Sequence, residues 1–178
     1  MKITPKWLVY PVISLAVAAL DLWSKFAILA QFQLYQSRQV IGDLLRFTFT
    51  WNRGITFGTF NNATGVPDWQ PFLLIGINFI ILVVMIVIFF RLHRLLKGDV
   101  PVLLGRIVVS FIAGGAIGNN VDRFLHKAVV DFIDCGIGSA RFFVFNVADS
   151  FVVIGAIGLG ILLILFERKP EGALPQGK

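Results

Sequence analysis

Carboxylates are the residues of this sequence best placed to do chemistry. Asp21 follows the apolar run Trp7–Leu20, Asp122 follows Ile107–Gly118, and Asp149 precedes Phe151–Phe166. A carboxylate at the edge of hydrocarbon is costly, so three of them at the ends of apolar runs mark a functional region. Asp21 and Lys25 are four residues apart, a spacing at which two side chains meet on one helix face. Asp131 and Asp149 have no such obvious local cation. Two carboxylates close together do not both ionise easily; they share a proton, one acting as acid and the other as base. Such a pair activates water against an amide with neither a metal nor a nucleophilic side chain. Asp149 also opens an apolar run, where a helix N-terminus favours negative charge.

Competing chemistries are thinly represented. His93 lies among Arg91 and Arg94, His126 stands alone, and there is no His-Glu-x-x-His pattern of a zinc protease. The one cysteine, Cys135, excludes an internal disulfide framework and a cysteine-based zinc site. Ser24-Lys25 and Asp149-Ser150 are adjacent pairs, which do not make a hydrogen-bonded serine dyad. Gly114-Gly115-Ala116-Ile117-Gly118 lies in an apolar run and reads as close helix packing, not as a phosphate loop. The expectation is an acid pair with no metal and no cofactor.

Elements that position these acids must span a membrane. Of the 178 residues, 57% are hydrophobic and only 15% charged, and the mean hydropathy is +0.82; soluble domains are far more polar. Phe72–Phe90 holds a single strongly polar residue, Asn78, and as a helix rises roughly 28 Å, about the hydrocarbon thickness. Phe151–Phe166 is nearly as clean. The other two runs become spans if they extend through their polar ends. The reading is an all-α membrane protein of four transmembrane helices, about 7–27, 71–91, 104–123 and 148–166, forming one domain over 1–170 with a flexible tail at 171–178. Lys2, Lys6 and the following apolar stretch mimic a secretory leader, but no soluble domain follows.

The net charge of +6 comes without a basic stripe or a nucleic-acid-reading motif. The cations cluster between apolar runs, which fits membrane lipids as the partner and not nucleic acid. Arg91, Arg94, Lys97 and Arg106 fill the second connection, so that connection is read as cytoplasmic, and both termini with it. Four alternating spans then bring Asp21, Asp122 and Asp149 to the same outer face.

The outer loops alternate as strands do. Arg46-Phe47-Thr48-Phe49-Thr50-Trp51-Asn52 sets bulky aromatics against polar residues, Asn52-Arg53-Gly54 offers a turn, and Ile55–Phe60 alternates again. An extracytoplasmic sheet over about 40–60 either presents its aromatic face to lipid or packs over helix ends. Arg141–Phe145 can add a strand.

These residues resemble a known family. Gly118-Asn119-Asn120-Val121-Asp122-Arg123 resembles the Gly-Asn-x-x-Asp-Arg motif of the bacterial lipoprotein signal peptidases, the type II signal peptidases. Val130-Asp131-Phe132 and Phe145-Asn146-Val147-Ala148-Asp149-Ser150 are similar to their two catalytic-aspartate motifs. Asp21-Leu22-Trp23-Ser24-Lys25 resembles their Asp-x-x-x-Lys motif, and Asn52-Arg53-Gly54 their Asn-x-Gly motif. The five occur in order over nearly the whole chain. The resemblance implies an aspartyl endopeptidase of the bacterial inner membrane that cuts lipid-modified prolipoproteins before the diacylglyceryl cysteine. It implies an outer β-cradle and makes Asp131 and Asp149 the catalytic pair. Asp21, Lys25, Asn52, Gly54, Asn119, Asp122, Arg123, Asn146 and Ala148 become supporting or substrate-binding residues. Ile55-Thr56 departs from the small residues usual after the Asn-x-Gly glycine. A proton or ion carrier and a membrane assembly protein are the other classes that would use such acids; the carrier would need polar residues through the middles of the spans.

Overall fold

The computed structural model describes residues 8–54 and 70–167. It contains four long helices: α1 Val9–Gln31, α2 Gln70–Leu95, α3 Asp99–His126 and α4 Val147–Phe166. Each is long and apolar enough to cross a membrane, so the chain is a multi-pass membrane protein. A four-stranded antiparallel sheet sits at one end, in the order β1 Ser37–Ile41, β2 Leu45–Asn52, β3 Val129–Ile137, β4 Ala140–Arg141.

The first three helices run further than their apolar runs indicate. Polar side chains at a span's end leave the backbone ladder intact, so hydropathy marks the lipid-facing length and not the helix. α3 begins at Asp99 and carries Pro101 in its first turn, where the missing N–H has no intrahelical acceptor to lose. The connection from α2 is therefore only Leu96–Gly98, turned by Gly98 at φ +97°. Arg106, expected in that connection, belongs to α3. Its guanidinium lies 5.6 Å from the ring of Phe89 and 5.9 Å from that of Tyr10, an attraction between cation and ring face.

α3 is the central helix, and its glycines let the others approach. A Cβ on Gly114 would meet the Ser14 carbonyl of α1 at 2.6 Å, and one on Gly115 the Ala148 carbonyl of α4 at 2.5 Å. Gly155 answers from α4 against Ile112 and the Val108 carbonyl. Polar groups add directional ties: Ser14 Oγ donates to the Ser110 carbonyl (3.0 Å), and Asn78 Nδ2 of α2 donates to Asn120 Oδ1 (3.0 Å). At the end away from the sheet, Leu92 and Leu96 of α2 pack with Val109 and Ile112 of α3 and Leu159 and Leu162 of α4.

Near the sheet, the structure changes two expectations and decides between two alternatives. The segment carrying Asp131, read as a loop, is the nine-residue strand β3, paired along β2. The aromatic face of β2 does not lie open to lipid. Phe49 is buried with Ile28 of α1 and Val130 and Phe132 of β3, and Phe47 and Trp51 close over them, so the packing alternative holds. Arg141–Phe145 shrinks to the two-residue β4 and one bridge between Phe145 and Ile133. The tips of the two hairpins are tied by Asp43, which accepts from the Gly138 N–H and pairs with Arg46, and by Arg141, which donates across to the Asp43 carbonyl. Ile55–Phe60 and the tail 171–178 lie outside the described residues.

Gly115 has no room for a side chain, with Val152 Cγ2 at 2.8 Å beyond the carbonyl. Gly115→Val should lower the thermal unfolding midpoint in detergent by the equivalent of ~1–3 kcal/mol, typical of overpacking. Gly76→Ala, at a position with open space, should leave the midpoint unchanged or slightly higher.

Candidate active site

The site is assembled around Lys25, which is 1% exposed. Its ammonium lies 2.7 Å from Asp21 Oδ2 on its own helix and 3.1 Å from Asp122 Oδ2 on α3, and donates to Asn119 Oδ1 at 2.9 Å. Each paired carboxylate also grips a backbone. Asp21 Oδ1 accepts the Ala148 N–H at 2.8 Å, next to Asp149. Asp122 Oδ2 accepts the Val130 N–H at 2.9 Å, next to Asp131. One cation thus binds two acids, and each acid fixes the main chain beside one aspartate of the candidate pair. Gly118 is part of the arrangement, because a Cβ there would strike the Asp21 carboxylate.

Asn146 joins the two aspartates directly. It is the N-cap of α4: its side chain accepts from the Asp149 N–H (2.9 Å), while Asp149 Oδ2 accepts from the Asn146 N–H (3.3 Å). This reciprocal cap satisfies donors at the helix start. The Asn146 amide nitrogen donates onward to Asp131 Oδ1 at 2.7 Å. Asn119 Nδ2 holds Asp149 Oδ1 at 2.9 Å, and Asn52 Nδ2 holds Asp131 Oδ2 at 2.9 Å. Strand alternation explains the direction of Asp131. Val130 and Phe132 enter the apolar cluster under the sheet, so the residue between them faces the opposite way. Asn52 is set by the turn read from the sequence, since its Oδ1 accepts the Gly54 N–H at 3.0 Å.

A cavity of about 510 Å³ opens over these groups. Asn52, Asn119, Arg123, Asp131 and Asp149 form its polar side; Phe142, Phe143, Val152 and Val153 are among its apolar lining. Among the described residues, Arg123 forms no salt bridge with a carboxylate. Its Nε and Nη1 are buried without a hydrogen-bond partner among the described residues. The structure therefore brings together all the anticipated polar residues, with Gly54 and Ala148 acting through their backbone N–H groups. Sequence reasoning missed the apolar wall. Val152 and Val153 had a signal, one helical turn beyond Asp149; Phe142 and Phe143 had only their nearness to Asn146.

Known proteins similar to this chain show its family. A family model described as signal peptidase (SPase) II matches residues 13–166. The chain belongs to the signal peptidase II family. It is 34% identical to a lipoprotein signal peptidase of Neisseria meningitidis, over 91% of this chain and 92% of the relative. It is 35% identical to one from Geobacillus thermodenitrificans, over 92% and 94%. Two solved structures described as a bacterial membrane enzyme superpose with TM-scores of 0.70 and 0.71, at 29% and 27% identity. They cover 88% and 92% of this chain and 93% and 94% of their own.

Within the candidate site, Asp131 is 2% exposed. Burial first, and then the charge of Asp149, push its carboxyl up to about 7, against the opposing hydrogen bonds from Asn52 and Asn146 and the charge of Lys25. Because the folded value lies above the ordinary one, this group stabilises the fold fully below about pH 4 and loses that contribution as pH rises to about 7. The infrared carbonyl band of the protonated carboxyl should titrate away with a midpoint near pH 7. In Asp149→Asn the midpoint should fall towards the ordinary carboxyl range, since the neighbouring charge is gone.

Proposed function

We propose that this protein is an aspartyl endopeptidase that removes the signal peptide from diacylglyceryl-modified prolipoproteins, cutting before the lipidated cysteine. The observation that carries the reading is the pair of carboxylates on α4 and β3, bridged by Asn146, at the polar side of a largely apolar cavity. The ionised member takes a proton from water as the oxygen attacks the peptide carbonyl. The protonated member donates a hydrogen bond to the developing oxyanion. On collapse of the tetrahedral intermediate a proton passes to the leaving amine, and the pair returns to its single-proton state. Fixed donors in a dry site act strongly on developing charge, and the free Nε and Nη1 groups of Arg123 supply donors for substrate carbonyls. Lys25, Asp21 and Asp122 touch no reacting atom; they position the two aspartates.

The site residues serve this one reaction in a bacterial cytoplasmic membrane, with the sheet and cavity on the outer side and both termini in the cytoplasm. Arg91, Arg94, Lys97 and Arg106 at the α2–α3 end support that orientation. The ion-carrier alternative is less favoured: the polar residues gather at one end, and the middle of α4 offers none.

Purified enzyme incubated with a diacylglyceryl-modified precursor should release the signal peptide. Asp131→Asn and Asp149→Asn should each lose at least ~10³-fold in rate, the scale of losing an essential acid or base, and still fold. Cys135→Ala and Ser150→Ala should keep most of the activity. Either asparagine variant cleaving at the native rate would end the mechanism. A reporter fused at Lys97 should read as cytoplasmic; a translocated reporter there would reverse the orientation.

A further inference from the structure

α4 carries more small residues than its contacts within this chain use. Gly155 and Gly158 are pressed against Ile112 and Val108 of α3. Gly160 has nothing within 4 Å of where a Cβ would stand, and Ala156 is exposed. These two are four residues apart. With Asp149 and Val153 they follow i, i+4, i+7 and i+11, so all four lie along one helix face. Small residues at that spacing let another helix backbone come close in a membrane, where dispersion contacts drive association. Gly76 of α2 is as open as Gly160, so the glycine singles out this face only together with its continuity with the cavity.

The upper end of the face enters the active-site cavity, whose lining on α4 runs through Asp149, Val152 and Val153; none of its described lining residues is on α2. We propose that the α4 face descending from Asp149 through Val153, Ala156 and Gly160 is the docking surface for the apolar helix of the substrate's signal peptide. The inference rests on the peptidase reading. A substrate with its scissile bond at the two acids must lead its apolar segment back into the bilayer from there, and this face starts at one of those acids. It bears no charge below Asp149, which suits an uncharged apolar helix. α4 spans roughly 30 Å, enough to match such a segment along its length.

The test uses full-length enzyme in liposomes with a diacylglyceryl-modified precursor. Gly160→Leu and Ala156→Leu should each raise KM about tenfold, equivalent to ~1.4 kcal/mol of lost binding, with kcat and the thermal midpoint nearly unchanged. In an Asp131→Asn background a photo-crosslinking side chain at Ile157 should capture the precursor, and one at Ile80 on the bare face of α2 should not. Capture from Ile80 alone, capture from neither, or an unchanged KM while the native enzyme still cleaves would overturn the docking face by itself. Native enzyme that leaves the precursor intact would instead remove the peptidase reading, and the docking face with it.

Discussion

The Lys25 ammonium is the interaction on which the site depends. It sits between Asp21 and Asp122, with Asn119 as its third partner, in a region closed to solvent. Removing charges from water is expensive, and such a group is tolerated only when its pairing is close and the remaining lone pairs are satisfied. Here the remaining lone pairs are used to hold backbone N–H groups from two other elements. The same contacts that make the buried charge tolerable also fix where α4 begins and where β3 begins. Loss of Lys25 would leave two buried carboxylates facing each other, a far larger penalty than the loss of one surface ion pair.

Helix packing brings these groups within reach. Asp21 meets α4 only because α1 and α4 lie against the same central helix, each over a glycine of α3. The sheet performs the equivalent task for Asp131. Its underside is an aromatic cluster seated on Ile28 and Phe32 at the end of α1, so the strand carrying Asp131 is anchored to the helix that carries Lys25. Apolar burial fixes the layers, and hydrogen bonds set the final geometry.

Much of this was legible in the residues. The four spans follow from apolar length, and the convergence of Asp21, Asp122 and Asp149 follows from alternation of the spans. The Asp21–Lys25 contact follows from helical spacing. Three things were not legible. Helix ends extend through polar residues because backbone bonding, not hydropathy, terminates a helix. β3 was hidden because Val129–Ile137 pairs with a strand more than seventy positions earlier, and no local pattern records its partner. That the Arg123 guanidinium stands without a partner among the described residues was not visible in its charge, because its position on α3, which turns it towards the cavity, is set by the packing of the helices. The aromatic alternation of β2 correctly indicated a strand, but periodicity is the same whether the apolar face meets lipid or protein.

The cap at the start of α4 makes the two aspartates mechanically unequal. Asp149 is locked by the reciprocal bonds with Asn146, and releasing it means unwinding the first turn of a membrane helix. Asp131 is held laterally by Asn52, from a hairpin whose shape a bulge between Phe47 and Thr50 already bends. Asn146 and the Asp122 contact to Val130 complete the grip on Asp131. The two jaws of the site are thus built differently, one into the first turn of a membrane helix and one onto a strand held by side chains from three other elements.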